Sequence, residues 1–560
     1  VIGEIPLSRL TVREVDDHAR ILAERVSCSP LTALLLRMRG FSEDNPCEAR
    51  AQLDPGLDDS MAGLDLGPFS AAAADLWRSL RGAERVVVYG DYDADGACAT
   101  ALAMELALAS FRQVRYFIPQ RHSEGYGVHE KVVRTIAESG CDLLIAVDCG
   151  TRDLEALAVA EHAGIPVILF DHHLPGETLP PGALVVNPHA GGSGEARTLC
   201  ATGVLWAWAR CEGIAPRGWI DARMDLVAIA TLADHVPLGR LNRSIFSGGI
   251  EVLRRSERRG LGALMVEAGH RPEEVDEDIL VMKIIPCLNA AGRLGVADIA
   301  VDVLLGGRDL DGKVRELVSL NRKRQTLAME ILEEILPRME EGSPVVMGDY
   351  AWPVGVLSGV ASRICSERGV SVALASLSGD HVRGTLRVPR GVDALQILQP
   401  LAPRLLSWGG HRSAAGFSVS VSEWSCVRDL IEETLLSATP SPEAVQAIGY
   451  PPEMLTPGEV RSMRSLGPFG AENPHPLFFA PSRGVVEIAP LGRDGKHVKV
   501  RAGGCEFLAF GGAAQSDSIR NSPGWTFRPR INNWKGKDRV DFIMDSIALS
   551  DGFGREGTDP

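Results

Sequence analysis

The chain has 560 residues, 45% of them hydrophobic and 23% charged, and a net charge of −15. This is ordinary folded material, too long for one compact core, so three to four domains are expected. The acidic balance disfavours a protein that coats nucleic acid indiscriminately, while leaving room for a nuclease with a local basic channel. The 11 cysteines are scattered, odd in number and without a CxxC pair, so neither a zinc ribbon nor a disulfide framework is indicated and a reduced, cytoplasmic compartment is expected. The opening VIGEIPLSRLTVREVDD has no basic-then-apolar signal segment, and no stretch reaches about 18 uncharged apolar residues, so no membrane association is expected.

Residues 1–70 read as an N-terminal lead-in of short helices, ending in the acidic, Gly-rich LDPGLDDSMAGLDLGPFS. From 71 to 308, strands alternate with helices. Val87–Tyr89 feeds a helix at Ala97–Ala109, then come strand Val114–Phe117, helix His129–Glu138, strand Leu143–Val147, helix Leu154–Ala163 and strands Pro166–Phe170 and Ala183–Val186. Short, continuously apolar strands in such alternation specify an α/β domain with a parallel sheet covered by helices. Met224–Leu232 and Glu277–Ile285 add apolar helices. Residues 309–343 form a charged amphipathic connector helix, and 344–440 a second α/β lobe. After the linker TPSPEAVQAIGYPPEMLTPGE, residues 455–560 hold five strand-like pieces, for which a small β-barrel of the oligonucleotide-binding kind is expected.

Acids collect where strands end. GDYDADG places Asp91, Asp93 and Asp95 after the first strand, VDCG places Asp148 after the next, and DHH places Asp171, His172 and His173 after another. Carboxylates so close repel one another in low dielectric unless a cation holds them, and their oxygens suit Mg²⁺ or Mn²⁺. Asp93, Asp95, Asp148, His172 and, from TLADHVPL, Asp234 form the expected ligand set for two divalent ions. The imidazole tilts preference towards Mn²⁺ without deciding it. For Asp91 and Asp171 a ligand role and a supporting role, orienting ligands or water, both stand. Two such ions suit hydrolysis of a phosphate ester. A nicotinamide or flavin crevice is disfavoured, because GDYDADG puts negative charge where a pyrophosphate would sit. Cys149 is read as buried filler. Asn289 and Arg293, in a small-residue loop PCLNAAGRLG, are candidate phosphate-binding residues. His411, in WGGHRSAAGFSV, could donate to a phosphate or protonate a leaving group. Arg363 and Arg387 add basic charge in the second lobe.

Together these motifs closely resemble the DHH phosphoesterase superfamily and, within it, the RecJ single-stranded-DNA-specific exonucleases. The resemblance rests on GDYDADG at 90–96, VDCG at 147–150, DHH at 171–173 and Asp234. PQRHSEGYG at 119–127, VVNP at 185–188, LNAAGRLG at 288–295, GGHRSAAGF at 409–417, LGPFGAENPHPLF at 466–478 and NNWKG at 532–536 extend it. It implies a DHHA1-like second lobe and metal-dependent 5′-to-3′ degradation of single-stranded DNA to 5′-mononucleotides in recombination and repair. Mn²⁺ or Mg²⁺ would be held by Asp93, Asp95, Asp148, His172 and Asp234. Phosphate handling is implied for His173, Asn289, Arg293 and His411, and for Arg363 and Arg387. Arg528, Arg530, Trp534, Lys535 and Lys537 provide an aromatic and basic surface suited to stacking and cationic contacts with a single strand. A single-stranded-DNA-binding protein and a recombination helicase are the partners implied, and nothing demands more than a monomer. The sequence departs from the family pattern at His235, at LCATGV (199–204) and at GTLRV (384–388). The alternatives are a DHH phosphodiesterase acting on short oligoribonucleotides or dinucleotides, and a catalytically silent binding protein.

Overall fold

The structure is a computed structural model that describes residues 2–120, 125–294, 296–340, 342–377, 381–438, 444–484, 486–492, 495–534 and 537–550. The chain divides into two compact units, one made of Ala51–Arg324 with Gly467–Pro474, the other of Val1–Arg50, Gln325–Leu466 and His475–Pro560. Strands β1 (Gly3–Pro6) and β2 (Leu10–Arg13) open the chain. Among the described residues, no helix is long and apolar enough to cross a membrane.

In the first unit, β3 (Arg85–Tyr89), β4 (Gln113–Phe117), β5 (Leu143–Val147), β6 (Val167–Phe170) and β7 (Ala183–Val186) form a sheet of order β4-β3-β5-β6-β7, parallel throughout. Alternate residues enter different cores. Val86, Val88, Ile145, Val147, Ile168 and Phe170 pack into one, and Val87, Tyr89, Leu144, Ala146, Val167 and Leu169 into the other. Helices cover both faces, which is why these strands read as unbroken apolar runs. The chain leaves β3 towards β4 on one side and returns to β5 on the other, so the carboxyl ends of β3 and β5 flank a topological switch point, where open α/β sheets bind their ligands. The helix Ala94–Leu108 is buried on nearly every side and begins there, capped by Asp93 Oδ1, which accepts from Gly96 N at 3.0 Å.

A buried ionic network fastens this unit's helices. Arg258 donates to Asp225 Oδ2 (2.6 Å), Glu105 Oε1 (2.5 Å) and the Leu304 carbonyl (2.9 Å), while Arg223 donates to Glu105 Oε2 (2.8 Å). Segments after the sheet differ from expectation in one respect. The apolar helix near Glu277 continues through a π-helical stretch, Leu280–Ile284, into the helix Ile285–Leu294, so the segment expected as a loop around Asn289 and Arg293 is helical. Its small residues serve close packing: a Cβ on Gly292 would lie 2.1 Å from the Tyr92 carbonyl oxygen.

In the second unit, β8 (Val345–Asp349), β9 (Val372–Ser376), β10 (His381–Arg387), β11 (Ser407–His411) and β12 (Ala414–Ser420) form a sheet of order β11-β12-β10-β9-β8. The helix Leu310–Ile335 runs through the expected connector, and its Ile331, Leu332 and Ile335 join a core with the helix Val354–Arg368. β13 (Val445–Gly449), β14 (Phe478–Pro481), β15 (Glu487–Leu491), β16 (His497–Ala502), β17 (Cys505–Ala509), β18 (Gly524–Trp534) and β19 (Lys537–Leu549) make the third sheet.

That sheet corrects two expectations. Its order is β15-β16-β17-β19-β18-β14-β13-β2, with β1 beside β19, and no pairing among the described residues closes it into a barrel. It wraps an aromatic cluster of Phe478, Phe507, Trp525, Phe527 and Phe542. The lead-in is also not helical throughout, because β1 pairs in parallel with β19 and β2 with β13. Each is four residues long, and its strand character comes from distant partners rather than from local periodicity.

Removing the Arg258 side chain leaves the buried Asp225 without its ion-pair partner and the half-buried Glu105 with Arg223 alone. Arg258→Ala is expected to cost about 3–5 kcal/mol of stability, read as a lowered urea midpoint, whereas a midpoint close to wild type would show that the network is solvated.

Candidate metal centre

The three strand ends converge in a cleft of about 280 Å³ lined by Asp91, Tyr92, Asp93, Tyr126, Asp148, His173, Asp234, Asn289 and Arg293. On its wall and just behind it, three sets of side chains each offer ligand atoms lying within 4.8 Å of one another: Asp91, Asp93 and Asp148; Asp95, His172 and Asp234; and Asp148, Asp171, His172 and His173. Asp148 and His172 connect the sets. All five residues expected as ligands are therefore gathered in one place, and Asp91 joins them.

Backbone geometry explains how they arrive. Asp148 follows β5 at φ 60°, a left-handed conformation costly for a non-glycine residue, and its N–H donates to the Phe170 carbonyl at 2.9 Å. Asp95 sits in the first turn of its helix and reaches the start of the helix Ala201–Cys211. There its Oδ2 accepts from Ala201 N (2.8 Å) and its Oδ1 from Thr202 N (3.0 Å) and Thr202 Oγ1 (2.5 Å). Asp234 caps the carboxyl end of the helix Met224–Ala233, where exposed carbonyls make a further negative charge unwelcome. His235 follows at φ 53° and turns the chain away.

Electrostatics then sets the demand for a cation. Burial, reinforced by Asp95, Asp93, Asp91 and Asp234, pushes the Asp148 carboxyl well above the usual range. Burial and then Asp95 raise Asp93. Asp234 is pushed up to about 8 by burial and by Asp95 and Asp93. Burial holds His172 below its ordinary value despite the surrounding carboxylates, which keeps the ring neutral. Its Nε2 is buried without a hydrogen bond, 3.5 Å from Asp148 Oδ1 and 3.5 Å from Asp234 Oδ2. An unpartnered imidazole nitrogen facing two carboxylates fits a divalent cation, and the nitrogen–oxygen donor set suits Mn²⁺ or Mg²⁺.

Asp171 differs from its neighbours. Its Oδ1 accepts from His172 N (2.8 Å), His173 N (3.1 Å) and His173 Nδ1 (2.7 Å), and its Oδ2 from Thr151 N (3.2 Å) and Thr151 Oγ1 (2.6 Å). Burial opposes ionisation, yet these bonds and the histidine charges hold its carboxyl well below the usual range. With five donors in place, Asp171 is built to orient the histidine pair. His173, about two-fifths exposed, faces the cleft; burial opposes protonation, but the Asp171 bond and charge raise it to about 9. Tyr126, absent from the expected site, donates to the Asp148 carbonyl (3.2 Å) and bonds His173 Nδ1 (3.0 Å). Its signal lay in the PQRHSEGYG segment, of which residues 121–124 lie outside the described residues. Asn289 Oδ1 accepts from Ala94 N at 2.9 Å, so it braces the helix start while lining the cleft.

The remaining candidates belong to the second unit. His411 and Arg387 both lie opposite Ala414, in one row across β11, β12 and β10. Arg387 donates to Ser362 Oγ (3.0 Å), next in sequence to Arg363, which pairs with Glu367 (2.8 Å). These three therefore gather at one end of their sheet. On β18, Arg528 pairs with Asp545 (2.9 Å) and Arg530 lies opposite Asp541, so acids from β19 temper the expected basic surface. Trp534 ends β18, Lys537 begins β19, and Lys535 lies outside the described residues.

The raised acids bind protons in the folded state that the unfolded chain has already released. With metal chelated, stability is expected to fall as pH rises from the ordinary carboxylate range near 3.8 towards 8, the span of the Asp234 shift. Melting with chelator should therefore occur at a lower temperature at about pH 8 than at about pH 5, and added Mn²⁺ should raise it more at the higher pH. Equal Mn²⁺ effects at both would show that these acids do not take up the ion.

Three family models match the chain: the DHH family N-terminal domain at residues 85–231, the DHHA1 domain at 341–436 and the RecJ OB domain at 448–546. The single-stranded-DNA-specific exonuclease RecJ of Escherichia coli (strain K12) is 30% identical over 96% of this chain and 99% of its own length. The Bacillus subtilis (strain 168) protein of the same name is 30% identical over 96% of this chain and 70% of its own. The crystal structure of RecJ in complex with Mn²⁺ from Thermus thermophilus superposes with a TM-score of 0.80 at 29% identity, covering 97% of this chain and 80% of that one. The same protein in complex with Mg²⁺ gives a TM-score of 0.74 at 27% identity over 97% and 79% of the two chains. The chain belongs to the RecJ family of DHH proteins.

Proposed function

We propose that this chain is a metal-dependent exonuclease that degrades single-stranded DNA from its 5′ end and releases 5′-mononucleotides, acting in recombination and repair. The observation that supports the reading is the gathering of Asp93, Asp95, Asp148, His172 and Asp234 in linked sets, with His172 Nε2 unpartnered beside Asp148 and Asp234. Relatives named as single-stranded-DNA-specific exonucleases and matching nearly the whole chain support it, as does the capture of one of them with Mn²⁺ and with Mg²⁺. The match reaches through the RecJ OB domain, which favours this reading over a phosphodiesterase for oligoribonucleotides or dinucleotides. Eleven free cysteines accord with work in the reducing cytoplasm, alongside a single-stranded-DNA-binding protein.

Asp93, Asp95, Asp148, His172 and Asp234 would hold the ions, with Asp91 a sixth candidate and Asp148 belonging to two of the ligand sets. Bound divalent ions supply positive charge and Lewis acidity to the scissile phosphate. The chain's own groups do the rest. His173, held by Asp171 with its proton on Nδ1, presents its other nitrogen as a donor to a phosphoryl oxygen. Arg293 and Asn289 also line the cleft, where a guanidinium fork and an amide suit the neighbouring phosphate. The row of Arg387 and His411, with Arg363 nearby, is assigned to the strand's backbone. The aromatic and basic residues of β18 and β19 are assigned to incoming nucleotides.

Offered 5′-labelled and 3′-labelled single strands, a matching duplex and oligoRNA, the protein is expected to release labelled mononucleotide early only from 5′-labelled DNA, with chelator abolishing cleavage. Early release from the 3′ label would reverse the polarity, and faster oligoRNA turnover would favour the phosphodiesterase. Asp148→Asn should lower kcat by about a thousandfold or more, since this carboxylate belongs to two of the ligand sets; near-normal turnover would remove it from the site.

A further inference from the structure

Behind the DHH loop lie two buried polar residues with no part in the ligand set, Thr151 and Asn187, respectively 1% and 0% exposed. Their hydrogen bonds have one possible direction. The Asp171 carboxylate only accepts, so Thr151 Oγ1, 2.6 Å from its Oδ2, must donate its proton there. The remaining lone pairs of that hydroxyl accept from Asn187 Nδ2 at 3.1 Å. Asn187 Nδ2 also donates to the His173 carbonyl at 2.8 Å, and Asn187 Oδ1 accepts from His189 N at 2.9 Å, which fixes the amide's orientation without ambiguity. The series Asn187–Thr151–Asp171–His173 thus joins the loops after β5, β6 and β7.

We propose that Thr151 and Asn187 are positioning residues for phosphodiester hydrolysis, holding Asp171, and through it His173, in one orientation towards the cleft. The inference rests on the exonuclease reading above. Without the Thr151 hydroxyl, one oxygen of a fully buried carboxylate keeps a single donor, the Thr151 N–H, and the bond to His173 loses its fixed partner. Because neither residue lines the cleft, substrate capture should be spared. Loss of a group that orients a catalytic side chain costs about 10- to 100-fold in activity.

The test is steady-state cleavage of single-stranded DNA with Mn²⁺ by wild type, Thr151→Val, Thr151→Ser and Asn187→Asp, each checked for fold by thermal melting. Thr151→Val, nearly isosteric but unable to donate, should lower kcat by about 10- to 100-fold with KM within about twofold of wild type, while Thr151→Ser stays within about threefold in kcat. Asn187→Asp, equal in size but unable to donate to either partner, should fall as far as Thr151→Val. Wild-type kcat in Thr151→Val or in Asn187→Asp would overturn the inference. So would a serine variant as slow as the valine one, which would reduce Thr151 to packing. If Thr151→Val does not fold, Asn187→Asp and Thr151→Ser decide the matter alone. A wild-type chain inert on single-stranded DNA would instead overturn the exonuclease reading, and with it the reaction these residues are proposed to serve.

Discussion

Repulsion among buried carboxylates is the constraint to which the rest of the first unit answers. Asp93, Asp148 and Asp234 are each driven towards protonation by burial and by one another, in a cleft where His172 offers a neutral nitrogen and no hydrogen bond. Such an arrangement is unfavourable alone and becomes favourable once positive charge enters it. The acids are therefore held against their own electrostatics by scaffolding: a parallel sheet buried on both faces, a left-handed turn at Asp148 and helix ends that fix Asp93 and Asp95.

The two histidines divide the work because Asp171 treats them differently. It receives both backbone N–H groups, but only the His173 ring. His172 is left neutral among the acids, whereas His173 gains proton affinity and faces the cleft. Adjacent residues thereby acquire opposite chemical character, His172 from burial and His173 from its bond to Asp171, a pattern that recurs wherever titratable neighbours must serve distinct ends.

Much of this was legible in the sequence. Apolar runs at Leu143–Val147 and Ala183–Val186 coincide with strands at those same bounds, since strands buried on both faces need no alternation to be recognised. The acids after β3, β5 and β6 stood out because a strand end is a poor place for unpaired charge. What escaped depended on contacts distant in sequence. Asn289 and Arg293 were read into a loop because Ala and Gly weaken helical periodicity, yet those small residues let the helix press on the Tyr92 backbone. Asp91 and Asp171 were indistinguishable by spacing; only the five donors around Asp171 separate them. Tyr126 gave no chemical signal of its own, because a phenol becomes informative only when its partners are known. The strands at β1 and β2 likewise reflect pairings that no local pattern encodes.

Those two early strands bear on how the molecule is made. Ile2 exchanges hydrogen bonds with Gln515 across 513 residues, and β1 lies along β19. As the chain emerges from the ribosome, residues 51–324 can be made before either partner of β1 or β2 exists, so these two strands must wait, unpaired, until β13 and β19 have been synthesised. Its short length and the charges around it, Glu4, Arg9, Arg13 and Glu14, give a waiting edge little to offer a neighbouring polypeptide.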